Sequence, residues 1–117
     1  MNNFKKAGVA DGARSELHEV LGLTGAEISV NTLPAGASVP FVHSHKQNEE
    51  IYAILEGEGT AVIDGKRVGL KSGDWIKISP SAKRQFFASD KIGLKFICIQ
   101  VKENSLEGYT MTDAVVY

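Results

Sequence analysis

A chain of 117 residues is the length of one ordinary domain, enough to bury a core without disulfides or a structural metal to fold it. Thirteen lysines and arginines against 14 aspartates and glutamates leave a net charge of −1, and neither sign gathers into the long block that would mark a nucleic-acid or membrane-surface binder. The single cysteine, Cys98, excludes an internal disulfide, and no run approaches the ~18 apolar residues of a spanning helix, so the chain reads as soluble, unexported and cytoplasmic.

Along the chain, residues 1–25 form a lead whose one helical signal is SELHEVLG, with Leu17, Val20 and Leu21 at i, i+3, i+4 and Gly22 as a stop. His18 on this segment has no partner nearby in sequence and reads as a surface or capping residue. Eight short runs rich in β-branched and aromatic residues follow: AEISVNTL, VPFVHS, EEIYAILE, TAVID, KRVGL, DWIKI, RQFFA and LKFICIQV. They predict an all-β sandwich or barrel over about 26–101. Asp64-Gly65 between TAVI and KRVGL predicts a tight hairpin. The tail, 102–117, has no readable period.

The chemistry gathers in HSHKQNEE, residues 43–50. If VPFVHS is a strand, His43 and His45 project to one side, roughly 6 to 7 Å apart along the backbone, with Phe41 on their face. Alternation on the next strand places Glu50, Tyr52 and Ile54 together. Two imidazoles and a carboxylate then converge, a donor set suited to a divalent Zn, Fe, Ni or Mn ion. The glycine-rich EGEGT is no phosphate loop, because strand rather than helix follows it. No Gly-x-Ser-x-Gly elbow is present, and Cys98 has no histidine base, which argues against nucleophilic catalysis.

These residues resemble the first motif of the cupins: Gly36, six residues rather than five, His43, His45, four residues, Glu50, six residues and Gly57. GDWIKISPSAKRQF resembles the second motif in Gly73 and Asp74 but lacks its final metal-binding histidine. Ungapped, Arg84 takes that place; with one inserted residue, Gln85 does. The resemblance implies an all-β double-stranded β-helix, the cupin jelly-roll barrel, as a single domain over 1–117 with at most a short N-terminal helix. It implies metal ligands at His43, His45 and Glu50, and a pocket for a small molecule.

Arginine donates only and stays charged, so Arg84 cannot coordinate a metal. At an effective dielectric near 20 and ~5 Å, it would repel a divalent ion by roughly 6 to 7 kcal/mol before screening. Three arrangements are open: a three-ligand metal with Arg84 holding a substrate anion; a metal completed by Gln85, Gln47 or water; or a metal-free Glu50–Arg84 ion pair. Two functions follow. One is a metal-dependent enzyme on a small carboxylated, phosphorylated or sugar-derived substrate, with Glu50 as base, Tyr52 as proton donor and Arg84 as anion clamp. The other is a non-catalytic binding or sensing module with a structural metal or none. Ile51, Ala53 and Leu55, with Ile97, Ile99 and Val101, leave the outer strand faces apolar; they predict a homodimer, or cover by the terminal segments.

Overall fold

The computed structural model describes residues 3–117. Seven strands, all paired antiparallel, carry the fold: β1 Arg14–Glu16, β2 Glu27–Leu33, β3 Asn48–Ile63, β4 Lys66–Lys71, β5 Trp75–Ile78, β6 Arg84–Ala88 and β7 Leu94–Lys102. The all-β jelly-roll expectation holds. The helical signal shrinks to one turn, α1 His18–Leu21, closed by Gly22 in the left-handed region at φ 65°. His18 is exposed there.

EEIYAILE and TAVID, read as two strands, are one. The first half of β3 lies between β7 and β5; the second half lies between β4 and β6. The change of sheet is made at EGEG, where the register against β7 slips between Ile54 and Glu56 and Gly57 turns at φ 85°. Both central residues of the Asp64-Gly65 hairpin have positive φ (48° and 81°), as a two-residue type I′ turn requires. Asp74, the aspartate of the second motif, closes the β4–β5 turn by accepting from the Lys71 amide and ammonium, each at 2.9 Å.

VPFVHS is not a strand. Pro40 has no amide hydrogen to give a ladder, and the backbone of residues 38–43 pairs with β6 through isolated bridges, Ser38 to Phe87 and His43 to Arg84. The tail adds one 3-10 turn, Thr110–Thr112. The radius of gyration is 15.7 Å with extents of 49 × 30 × 24 Å, against about 13 Å for a compact chain of this length.

Between the sheets, Tyr52, Phe86 and Phe96 form the centre of the core. Tyr52 stacks on Phe86 at 4.2 Å between centroids, and Phe86 on Phe96 at 5.2 Å. Such contacts add about 0.5–1.5 kcal/mol each beyond the area they bury. The inner face of β2 is different: Ser29 and Asn31 point inward and are buried, while Ile28 and Val30 point outward.

Candidate metal and ligand site

Backbone contacts rather than a sheet ladder place the two histidines. The amide of His43 donates to the Arg84 carbonyl at 3.1 Å, the amide of Arg84 donates back to the His43 carbonyl at 2.9 Å, and the amide of His45 donates to the Pro80 carbonyl at 2.8 Å. The imidazoles meet edge to face, 5.1 Å between centroids, and Phe41 packs on His43 from the exposed side. Glu50 comes from β3, 2 % exposed. One donor atom from each of His43, His45 and Glu50 lies within 4.8 Å of the others. The convergence read from the sequence is therefore present, by a different backbone route.

The two oxygens of Glu50 have separate partners. Oε1 accepts from the Tyr52 hydroxyl at 2.6 Å and from Arg84 NH1 at 3.0 Å. Oε2 accepts from the Cys98 thiol at 3.2 Å and faces His45 Nε2 at 3.1 Å. Burial raises the Glu50 pKa, but the Tyr52 and Cys98 hydrogen bonds and the charges of His45 and Arg84 outweigh it, leaving the carboxyl below its ordinary range and ionised. Burial is also the main reason that His43 titrates below an ordinary histidine, ahead of the opposing attraction of Glu50. The 3.7 Å approach of His43 Nε2 to Oε1 is thus a neutral imidazole beside a carboxylate rather than an ion pair.

His45 Nε2 is buried and, despite its 3.1 Å distance from Oε2, has no partner with hydrogen-bond geometry among the described residues. Two such atoms at that separation are held by a cation between them, a proton on Nε2 in the metal-free protein or a metal ion in its place. The donor set fits a divalent transition metal held by His43, His45 and Oε2 of Glu50. Among the described residues the His43 Nδ1 atom is buried without a partner and lacks the outer hydrogen bond that metal-bound histidines usually make.

Arg84 occupies the place of the fourth ligand. It is 0 % exposed; NH1 binds Glu50, NH2 donates to the Ser79 carbonyl at 2.6 Å, and Nε is buried without a partner among the described residues. Its guanidinium reaches the ligand cluster, as the ungapped register predicts, but it does not line the cavity, where the anion-clamp expectation would need it. Gln85 lines the cavity wall, its amide tied to the Val39 carbonyl at 2.7 Å.

The cluster opens on a cavity of about 460 Å³, within the range of small-molecule sites. Leu33, Val39, Phe86 and Phe96 supply apolar wall, and Phe41, 57 % exposed, stands at the mouth. The sequence reading missed Arg14 and Asn31 on the cavity wall and Ser29 behind Asn31, and gave no role to Cys98, which also lines the cavity. For β2 the signal was available, since EISVNTL alternates with its apolar residues outward. For Cys98, burial first and then the Glu50 charge push the thiol up to about 12. Native protein at about pH 8 should therefore resist alkylation by iodoacetamide and take one label in urea, as read by intact mass.

Fold and site together define a jelly-roll protein with a small-molecule cavity and a His-His-Glu cluster. Residues 29–100 match the model of the cupin domain, and the chain belongs to the cupin family. It resembles a crystallised cupin protein of Bacteroides fragilis over 100 % of this chain and 99 % of that one, at 61 % identity and a TM-score of 0.97. A predicted oxalate decarboxylase of Thermotoga maritima is 31 % identical, with 64 % of each chain covered and a TM-score of 0.60. An uncharacterized protein of Methanocaldococcus jannaschii is 35 % identical over 66 residues, 56 % of this chain; the chain spans about half, 52 %, of that curated relative's length.

Proposed function

We propose that the protein is a small-molecule-binding cupin in which His43, His45 and Glu50 hold a divalent Zn, Fe, Ni or Mn ion at the inner end of the cavity. The observation that carries this reading is the buried, unpartnered His45 Nε2 turned to Glu50 Oε2 at 3.1 Å. A metal bound there would act as a Lewis acid toward a ligand oxygen through its open positions. Within the site, Tyr52 and Arg84 are positioning residues. Burial first, then the neighbouring Cys98 and Glu50, hold the Tyr52 phenol far above its ordinary range, so it stays protonated and keeps donating to Oε1. Arg84 holds the same oxygen, which leaves Oε2 to the ion. An ionised, clamped Glu50 is a poor proton carrier, and the arrangement supports ligand binding more directly than general-base turnover. The likeness to a protein described as a predicted oxalate decarboxylase supports a small organic acid or related anion as ligand.

Protein purified without chelator should carry divalent transition metal by elemental analysis, and the His43→Ala/His45→Ala double variant should carry none. Equal metal in wild type and double variant would remove the site. A second reading, a metal-free binding module, is favoured by one observation: Arg84 already neutralises Glu50 where the family's final histidine would stand. Wild-type protein without metal, including after incubation with Zn, Fe, Ni and Mn salts, would select that reading.

The reading includes a homodimer through the outer face of the sheet formed by β1, β2, β7, β5 and the first half of β3. In register across it run Val30, Ile97, Ala53 and Trp75, then Ile28, Ile99 and Ile51. Trp75 is 69 % exposed. The tail does not cover this face with its own apolar residues: Leu106, Met111 and Val116 are themselves exposed. A solvated face would alternate to polar. Light scattering at micromolar concentration should give twice the 12.6 kDa chain mass, and Ile97→Asp should return the monomer.

A further inference from the structure

The geometry points to Arg14 as the residue that binds the carboxylate of an organic-acid ligand with an apolar body. This rests on the reading of the cavity as a ligand site, and names its ligand class. Arg14 lies on the short edge strand β1 and lines the same cavity as His43, His45 and Glu50. Its NH1 donates to Asn31 Oδ1 at 2.8 Å and its Nε to Glu16 Oε1 at 3.0 Å. A guanidinium has five donors; the rest, on NH1 and NH2, have no protein partner among the described residues.

The Arg14 side chain is half exposed at the rim, but what holds it reaches into the barrel interior and is unusual there. Asn31 is 7 % exposed, its amide nitrogen donates to Ser29 Oγ at 3.0 Å, and Ser29 is 2 % exposed. Two inward positions of β2 that alternation would give to apolar side chains are spent on a hydrogen-bonded chain that ends on the guanidinium. Buried polar groups cost stability unless paired, and an apolar pair there would need no pairing. The chain Ser29–Asn31–Arg14 fixes one face of a cation whose other donors remain free beside the cavity.

The register sets the distance scale. Arg14 pairs with Asn31, Asn31 with Phe96 and Phe96 with Ile54, while Glu50 sits four residues before Ile54 on β3. Arg14 is therefore three strand spacings across and four residues along from Glu50, about 20 Å on a flat sheet and less across a curved one. Leu33, Val39, Phe86 and Phe96 line the space between them. Planar carboxylate suits a guanidinium through paired N–H donors, and the apolar wall suits a hydrocarbon or aromatic body. Glu16 neutralises part of the Arg14 charge from the Nε side and disfavours a ligand of high negative charge, which selects a monocarboxylate end over a phosphate.

The test is calorimetry on the full chain as purified, with benzoate, phenylacetate and 3-phenylpropionate, each against its uncharged amide. At least one acid should bind wild type about tenfold to a hundredfold more tightly than its amide, the range expected of a hydrogen bond to a charged group. Arg14→Gln should erase that preference and leave amide binding unchanged; Arg14→Lys should keep part of it, having the charge without the fork. If no acid binds wild type at millimolar concentration, or if the preference survives Arg14→Gln, the assignment is overturned. The His43→Ala/His45→Ala variant separates this from the metal reading, because it should lose metal yet keep the acid-over-amide preference. A preference lost in that variant but kept in Arg14→Gln would put the carboxylate on the metal instead of Arg14.

Discussion

Replacing Arg84 by alanine should lower the stability of the chelated protein by about 3 to 5 kcal/mol, the cost of leaving one member of a buried ion pair alone. Arg84 is 0 % exposed and Glu50 2 %, so water cannot take over for the missing guanidinium. Tyr52 and Cys98 would still donate to Glu50, but neutral donors do not supply the lost charge. The penalty has a sign with pH. In wild type the Glu50 pKa lies below its ordinary value, so its contribution is present above the unfolded-state pKa and is lost as pH falls through the folded one. In Arg84→Ala one of the causes that lower that pKa is gone and the pKa rises, so the gap between wild type and variant is widest at a pH above both folded-state values and narrows as pH falls through them. Denaturant melts at about pH 7 and about pH 4 should show the gap between wild type and variant narrowing at the lower pH. A constant gap would mean that Arg84 stabilises by packing alone. Arg84→Met with Glu50→Gln should recover much of the loss, because neither charge is then stranded. Arg84→His should retain metal and bind it more tightly, having exchanged a repelling cation for a ligand.

How far the sequence carried depended on which interactions decide each part. Alternation on EEIYAILE put Glu50, Tyr52 and Ile54 on one face, and all three are buried there, because a strand between two paired neighbours has no freedom to rotate. Asp64-Gly65 specified its hairpin for a similarly local reason. VPFVHS had strand composition, but Pro40 and irregular contacts with β6 made it a bridged loop; its histidines still meet Glu50 because the Arg84 and Pro80 backbone holds them. EGEG reads locally as a break between two strands. Only the packing of two sheets shows that it is a corner within one.

The polar side of the cavity was harder to read. Arg14 sits just before the one periodic stretch of the lead, which reads as helix, and β1 has only three residues, too few to alternate visibly. Ser29 and Asn31 are informative only once the direction of β2 is known. Arg84 was placed by register at the cluster, yet its orientation is set by the Ser79 carbonyl and Glu50, which no spacing rule supplies.

Gly57→Ala should be the most damaging single-methyl change in the barrel. A Cβ at Gly57 would stand 1.8 Å from the Gly93 carbonyl oxygen and 2.7 Å from its carbon, both backbone atoms, and the residue has φ +85°. Left-handed backbone costs an alanine roughly 1–2 kcal/mol, and forced overpacking typically adds 1–3 kcal/mol or more. Together about 2 to 5 kcal/mol would be lost from a domain stability of about 5–15 kcal/mol. The damage would also reach the site, since the clash pushes β3 from β7 at the corner beyond Ile54, on the strand that carries Glu50. Two glycines separate the causes. Gly73 has φ +94° but nothing within 4 Å of an added Cβ, and Gly69 has neither positive φ nor a neighbour within 4 Å. Thermal melts should rank Gly69→Ala near wild type, Gly73→Ala lower by the conformational cost alone, and Gly57→Ala far below both. If Gly57→Ala melts no lower than Gly73→Ala, β3 and β7 can separate at the corner without loss, and the close approach there is not what requires glycine.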